Sequence, residues 1–180
     1  MRVITGIAKK KPLLTINEST LRPTTGRVKE AMFSIIQLNI NDANVLDLFS
    51  GSFQLGIEAL SRGAKCCTFI DSSIKSYKIG IQNLKSTKLE KKAKVLLTDG
   101  IKFLKNIKEK YDIVFLDPPY KTNLLEQALE IVSKKLNENG LVICEHLKSL
   151  KLKEHYDDIR LQKEYSYGRI KLALYKKQSL

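Results

Sequence analysis

The chain has no tryptophan, and among 180 residues only two methionines, two histidines, three cysteines and four prolines. So few histidines and such scattered cysteines leave no spacing that would hold a zinc or iron site. Cys66, Cys67 and Cys144 lie inside apolar runs and read as buried, reduced thiols, which excludes a disulfide-stapled secreted scaffold. No apolar run approaches the roughly 18 residues of a membrane span. Met1-Arg2-Val3-Ile4 is not followed by the apolar region of a signal peptide, so a soluble, cytoplasmic protein is expected. Acidic residues are also scarce: 19 Asp+Glu stand against 32 Lys+Arg, a net charge of +13. That excess points to a polyanionic partner, nucleic acid ahead of a membrane surface because no basic amphipathic anchor stands out; the alternative is a lysine-rich solvated surface. Repeats and low-complexity linkers are missing too. With 43% hydrophobic and 28% charged residues, the composition is that of one ordered domain with a small appendage.

The most informative stretch is Tyr111-Asp112-Ile113-Val114-Phe115-Leu116-Asp117-Pro118-Pro119-Tyr120. Ile113 to Leu116 suit a strand buried on both faces of a parallel sheet. Two consecutive prolines must end it, since neither can donate to a ladder. Asp117 and the carbonyls around Pro118 are thereby placed at the carboxyl end of a central strand, the edge at which open α/β sheets bind ligands. Tyr120 adds an aromatic face. Acceptors beside a flat ring suit a planar substrate that carries an exocyclic amino group.

Other acidic residues end apolar runs in the same way. Val45 to Phe49 is a strand with Asp47 near its end, followed by the small-residue turn Ser50-Gly51-Ser52-Phe53-Gln54-Leu55-Gly56 and a helix through Ile57, Leu60 and Ala64. Strand, small-residue turn and helix let a backbone approach a ligand. The spacing of Gly51 and Gly56 is not the dinucleotide fingerprint, which disfavours a nicotinamide or flavin enzyme. Cys66 to Ile70 is a second strand ending in Asp71, placed to accept from ribose hydroxyls. After a helix over Ile74 to Leu84, the strand Lys94 to Thr98 ends in Asp99-Gly100, where Asp99 can accept from an adenine amino group. A helix from Leu124 to Leu136, stopped at Asn139-Gly140, leads to the strand Leu141 to His146. The tail, Ile159 to Glu164 and Arg169 to Tyr175 around Tyr167-Gly168, alternates as an antiparallel edge hairpin. His146 reads as a strand-end residue.

At the other end, Arg2 to Thr5 and Leu13 to Ile16 read as a hairpin whose tip carries Lys9, Lys10 and Lys11, a candidate phosphate grip or else a mobile charged terminus. Thr24 or Thr25 can cap a helix with Val28, Met32, Ile35 and Ile36 on one face. Arg22, Arg27 and Lys29 at its start oppose the helix dipole, a local cost suggesting that these cations have a task.

These motifs taken together resemble the class I S-adenosylmethionine-dependent methyltransferases, and more narrowly the RsmD-type 16S ribosomal RNA guanine-N2 methyltransferases. The resemblance is carried by Leu21-Arg22-Pro23-Thr24-Thr25 with Arg27-Val28-Lys29-Glu30, by Asp47-Leu48-Phe49-Ser50-Gly51-Ser52, by Leu55-Gly56-Ile57-Glu58-Ala59-Leu60-Ser61-Arg62-Gly63-Ala64 and by Asp117-Pro118-Pro119-Tyr120. It implies a Rossmann-like, seven-stranded, mostly parallel sheet with helices on both faces and the last strand inserted antiparallel. The division implied is a basic β-hairpin over residues 1–21 and a methyltransferase domain over residues 22–180.

S-adenosylmethionine is the implied cofactor, with Asp47, Phe49, Gly51, Phe53, Asp71 and Asp99 around it. Asp117, Pro118, Pro119 and Tyr120 are the implied catalytic set. Lys9, Lys10, Lys11, Arg22 and Arg27 are the candidates for RNA phosphates. The expected partner is 16S ribosomal RNA or a small-subunit assembly particle, met by a monomer without metal or membrane. One residue departs from the pattern: the family usually has Gly-Ser-Gly where this chain has Gly51-Ser52-Phe53. A ring there either crowds the cofactor pocket or packs away from it with the loop shifted. Two other functions use the same parts. One is a DNA adenine or cytosine amino-methyltransferase, for whose target-recognition region 180 residues leave little room; the other is a catalytically weak RNA-binding assembly protein.

Overall fold

The computed structural model describes residues 1–16, 26–120 and 122–178. Arg22, Thr24 and Thr25 lie outside these. Strands β1 (Asn44–Leu48), β2 (Cys66–Asp71), β3 (Ala93–Leu97), β4 (Tyr111–Leu116) and β5 (Leu136–Leu147) pair in parallel. Helices α1 (Gly26–Ile35), α2 (Gln54–Ser61), α3 (Ile74–Thr87), α4 (Gly100–Asn106) and α5 (Leu124–Val132) cover the sheet. The chain ends in β6 (His155–Tyr156), β7 (Ile159–Tyr167) and β8 (Ile170–Lys177), and the sheet order is β3-β2-β1-β4-β5-β8-β7-β6. β8 inserts antiparallel between β5 and β7, as the resemblance implies. Among the described residues the sheet has eight strands rather than seven, because the two-residue β6 pairs with the start of β7 and is too short to show a period in sequence. A second difference lies at β5. Leu136 pairs with Tyr111 instead of closing the preceding helix, and Asn139, at φ 59°, makes the irregularity that brings Leu141 opposite Ile113.

Side-chain alternation along the strands builds a core on each face of the sheet. Val45, Phe69, Ile113, Phe115 and Ile143 pack under α1, α2 and α3; Leu46, Leu48, Ile70, Val114, Leu116 and Val142 pack under α4 and α5. Burying each such side chain contributes about 1.5–3 kcal/mol. These strands face helices on both sides, which is why they read as continuous apolar runs. Cys67 and Cys144 are buried as expected, but Cys66 is exposed, its thiol 3.2 Å from the Asn44 Oδ1, because it opens β2 where no helix covers the strand.

The order reverses between β1 and β4, opening a crevice at their carboxyl ends. Helix α2 borders it and is buried all round. What covers its outer side is the amino-terminal arm. The arm closes as a short hairpin, with an antiparallel bridge between Arg2 and Pro12 and the Val3 and Leu13 N–H groups donating to the Lys11 and Met1 carbonyls at 3.0 and 2.9 Å; among the described residues the pairing goes no further, because the next donors turn to α2. The N–H groups of Ile4 and Thr5 donate to the Glu58 carboxylate at 2.8 and 3.0 Å, and that of Ala8 donates to the Ser61 hydroxyl at 3.0 Å. Gly6, at φ 87°, lies so close to the Ser61 carbonyl that a Cβ would sit 1.8 Å from its oxygen.

Lys29 completes the clasp. Its ammonium, fully buried, lies 3.2 Å from Glu58 Oε2 and donates to the Arg2 carbonyl at 2.9 Å. Burial lowers its pKa, opposed by the charge of Glu58. The cation that looked costly at a helix start therefore ties the arm to α1 and α2. Arg27 stays exposed.

Candidate active site

The crevice holds a cavity of about 330 Å³ formed by the ends of β1, β2, β3 and β4. Asp47, Phe49, Gly51, Asp71, Asp99, Asp117, Pro118, Pro119 and Tyr120 all line it, so residues far apart in sequence converge on one space. Lys9, Lys10, Lys11 and Arg27 do not; they are exposed on the surface.

The loop after β1 is bent by left-handed residues: Phe49 at φ 64°, Gly51 at φ 53° and Phe53 at φ 67°. A left-handed conformation costs a non-glycine residue about 1–2 kcal/mol, so strain is concentrated beside the cavity. The loop is held by Ser50, whose hydroxyl donates to the Asp47 carbonyl at 2.5 Å and accepts from the Ile70 N–H at 2.8 Å, locking β1 to β2.

Of the two readings of Phe53, the structure shows the ring packed away from the pocket, so Phe53 drops out of the residues around the cofactor space. Its ring does not line the cavity; it is 1% exposed and stacks on Phe69 with centroids 4.6 Å apart. Room for it comes from Gly80 in α3, where a Cβ would meet the ring at 2.4 Å. A left-handed φ explains why glycine suits this position, and burial of the ring offsets the strain here. Phe53→Gly should relieve about 1–2 kcal/mol of strain but forfeit about 3–5 kcal/mol of packing. The expected result is a net destabilisation of about 2 kcal/mol in chemical denaturation, with cofactor affinity unchanged.

The acidic residues are held in distinct ways. Asp47 is 1% exposed and accepts from the Gly56 N–H at 2.8 Å. Burial pushes its carboxyl well above the usual range against that hydrogen bond, and the charges of Asp117 and Asp71 add to the rise. Asp71 accepts from the N–H groups of Gly51 and Ser73, both at 2.8 Å, bridging the β1 and β2 turns. Asp99 caps α4 by accepting from the Lys102 N–H at 2.7 Å. A carboxylate has about four acceptor positions, so these bonds leave Asp71 and Asp99 capacity for ligand hydroxyl or amino groups. A cavity ringed by carboxylates in a chain of net charge +13 favours a cationic ligand.

Some lining residues were not picked out from sequence. Thr15 and Ile16 of the arm reach the cavity, and the buried Gln54 presents a side-chain oxygen that lacks a hydrogen-bond partner among the described residues. Glu145 is the most consequential omission. Only 2% exposed at the end of β5, it accepts from the Tyr120 hydroxyl. Burial, with Glu145 beside it, pushes the Tyr120 phenol far above its ordinary pKa, so Tyr120 stays a donor. The signal was present in the sequence, since an acid closes the β5 apolar run as one closes β2. Its neighbour His146 is buried, with Nδ1 3.0 Å from the Leu147 carbonyl and Nε2 3.3 Å from Glu164, and burial lowers its pKa. No cluster of three or more His, Cys, Asp or Glu able to hold a metal ion occurs among the described residues, and no helix among them is long and apolar enough to cross a membrane.

Comparison with known proteins agrees with this geometry. Residues 1–176 match a family model described as conserved hypothetical protein 95. The putative rRNA methyltransferase YlbH of Bacillus subtilis is 37% identical, over 99% of this chain and 100% of that protein. The ribosomal RNA small subunit methyltransferase D of Haemophilus influenzae is 35% identical, over 97% and 93%. The solved structure of the putative methyltransferase yhhF from Escherichia coli superposes with a TM-score of 0.89 at 31% identity, covering 100% of this chain and 99% of that one. With its Rossmann-like methyltransferase fold and these matches along nearly its whole length, the chain belongs to the conserved hypothetical protein 95 family, the family of RsmD-type methyltransferases.

Proposed function

We propose that this protein is an enzyme that methylates the exocyclic N2 of a guanine in 16S ribosomal RNA, of the guanine-966 type, using S-adenosylmethionine. The observation that carries the reading is the placement of Asp117 and Pro118 at the end of β4, on the wall of a cavity that Asp47, Asp71 and Asp99 also line. The names of the relatives support an RNA substrate, and the reading is of a cytoplasmic enzyme acting on small-subunit RNA or its assembly particles.

The residues fit the cofactor. Gln54, with its unpartnered buried oxygen, and Asp47 suit an ammonium; Asp71 suits a ribose diol; Asp99 suits an adenine amino group, with Phe49 and Gly51 shaping the wall. When bound, S-adenosylmethionine supplies a methyl group already activated on a sulfonium. The protein's own task is to position and polarise the acceptor. Guanine N2 is a weak nucleophile, its lone pair delocalised into the ring. Acceptance of N2–H by the Asp117 carboxylate and the Pro118 carbonyl aims that nitrogen and favours the positive charge that develops on it. Tyr120 offers a stacking face to a base taken out of its helix.

Lys9, Lys10, Lys11, Arg22 and Arg27 are proposed to bind RNA phosphates. Each phosphate contact adds about 0.7–0.9 to the slope of log K against log salt. Replacing Lys9, Lys10 and Lys11 by glutamine should therefore lower that slope by about 2 for an rRNA fragment, as read by fluorescence anisotropy across a salt series; an unchanged slope would take the arm out of the interface. A DNA amino-methyltransferase would use the same Asp-Pro-Pro-Tyr set. Incubation with unmodified small-subunit particles and with DNA, each with labelled cofactor, tests the choice: methyl incorporation into the particles is expected, and incorporation into DNA alone would reverse it.

A further inference from the structure

Behind the Asp-Pro-Pro-Tyr segment lies a second cavity, of about 230 Å³, lined by Pro118, Pro119, Tyr120, Glu145, His146 and Leu150 among others. It shares both prolines and Tyr120 with the cofactor-side cavity, so the motif is a partition between two spaces. At about 30 Å³ per water, the second space has the room of about eight waters, enough for one planar base. Its polar wall is the end of β5, with Glu145 and His146 at 2% and 1% exposure. The fold alone does not call for a carboxylate there, since burying one is costly unless it is well bonded. Tyr120 donates to this one from the partition itself.

We infer that the second cavity reads the Watson–Crick edge of the target base, with Glu145 selecting guanine. This rests on the guanine-N2 reading above. Guanine carries a donor at N1 next to its N2 amino group. Adenine at N1 and cytosine at N3 carry acceptors. A carboxylate has about four acceptor positions, so Glu145 can hold the Tyr120 hydroxyl and also take N1–H, while the amino group faces the partition, with the Pro118 carbonyl on it and Asp117 on its cofactor side to take N2–H. A base with an acceptor at that position would set a lone pair against a buried carboxylate, leaving both unsatisfied.

The test uses a synthetic rRNA fragment, reconstituted into small-subunit particles, with guanine or 2-aminopurine at the target position. 2-Aminopurine keeps the N2 amino group but has an unprotonated N1. The wild-type protein is expected to prefer guanine by about 100-fold or more in kcat/KM, since a site built to pair a donor rejects the analogue lacking it. Glu145→Gln keeps an oxygen for Tyr120 and turns an amide N–H toward N1, so the preference should fall by at least about tenfold, with cofactor binding retained as evidence of folding. Tyr120→Phe keeps the ring but removes the hydroxyl that holds Glu145, and it should lower the same ratio. A wild-type preference for guanine that neither variant changes overturns the role of Glu145 and leaves the guanine-N2 reading standing. No methylation of either substrate by the wild type overturns that reading and this inference with it.

Discussion

Asp117→Ala is expected to lower kcat for methyl transfer by about three orders of magnitude, with cofactor affinity close to that of the wild type. The two readouts separate because the carboxylates differ in place. Asp71 and Asp99 lie at the ends of β2 and β3, where they also brace the Gly51 turn and the α4 start. Asp117 lies at the end of β4, in the wall of the cofactor-side cavity and next to the prolines that both cavities share. On the proposed mechanism, removing it withdraws the acceptor for N2–H and the negative charge facing the charge that develops on nitrogen. Asp117→Asn, which retains an acceptor oxygen but no charge, should fall between. Single-turnover rates with radiolabelled cofactor, alongside calorimetric titration, check this; joint loss of binding and turnover would make Asp117 a structural residue.

Glu58→Ala should destabilise the protein by about 3–5 kcal/mol, the cost of leaving a buried charge without its counter-ion. Lys29 is fully buried, and Glu58 also accepts from the Ile4 and Thr5 N–H groups and from Arg62 Nε at 2.9 Å. The arm should detach with it, seen as faster tryptic cleavage after Lys9 and Lys10 in the native state. Lys29→Met should cost less, because Glu58 would still hold those other donors. Equal costs for the two substitutions, or an arm no more susceptible to trypsin, would show that the clasp contributes little.

The central sheet was legible because each parallel strand is a short apolar run closed by an acid or a turn, and because the helices between them are amphipathic. The positions of Asp47, Asp71, Asp99 and Asp117 around one cavity follow from the same pattern. What escaped depends on contacts between distant residues. The arm reads as a hairpin because its alternation is strand-like, and it pairs as one at Arg2 and Pro12; that the N–H groups of Ile4, Thr5 and Ala8 go to Glu58 and Ser61 appears only when α2 lies beneath it. Phe53 could crowd the cavity or leave it, and Gly80 decides the matter by leaving space for the ring. Leu136 continues a helical periodicity and yet belongs to β5, since pairing with Tyr111 prevails over local preference. Glu145 carried the same strand-end signature as the other acids but lay beside a histidine, and its bond to Tyr120 spans two strand ends.

The most direct measurement is nucleoside mass spectrometry of 16S ribosomal RNA after incubation of unmodified small-subunit particles with the purified protein and S-adenosylmethionine. N2-methylguanosine at a single position, absent with Asp117→Ala, is the predicted result. Methylation of an adenine or cytosine amino group, or no methylated nucleoside from a protein that binds the cofactor, would contradict it.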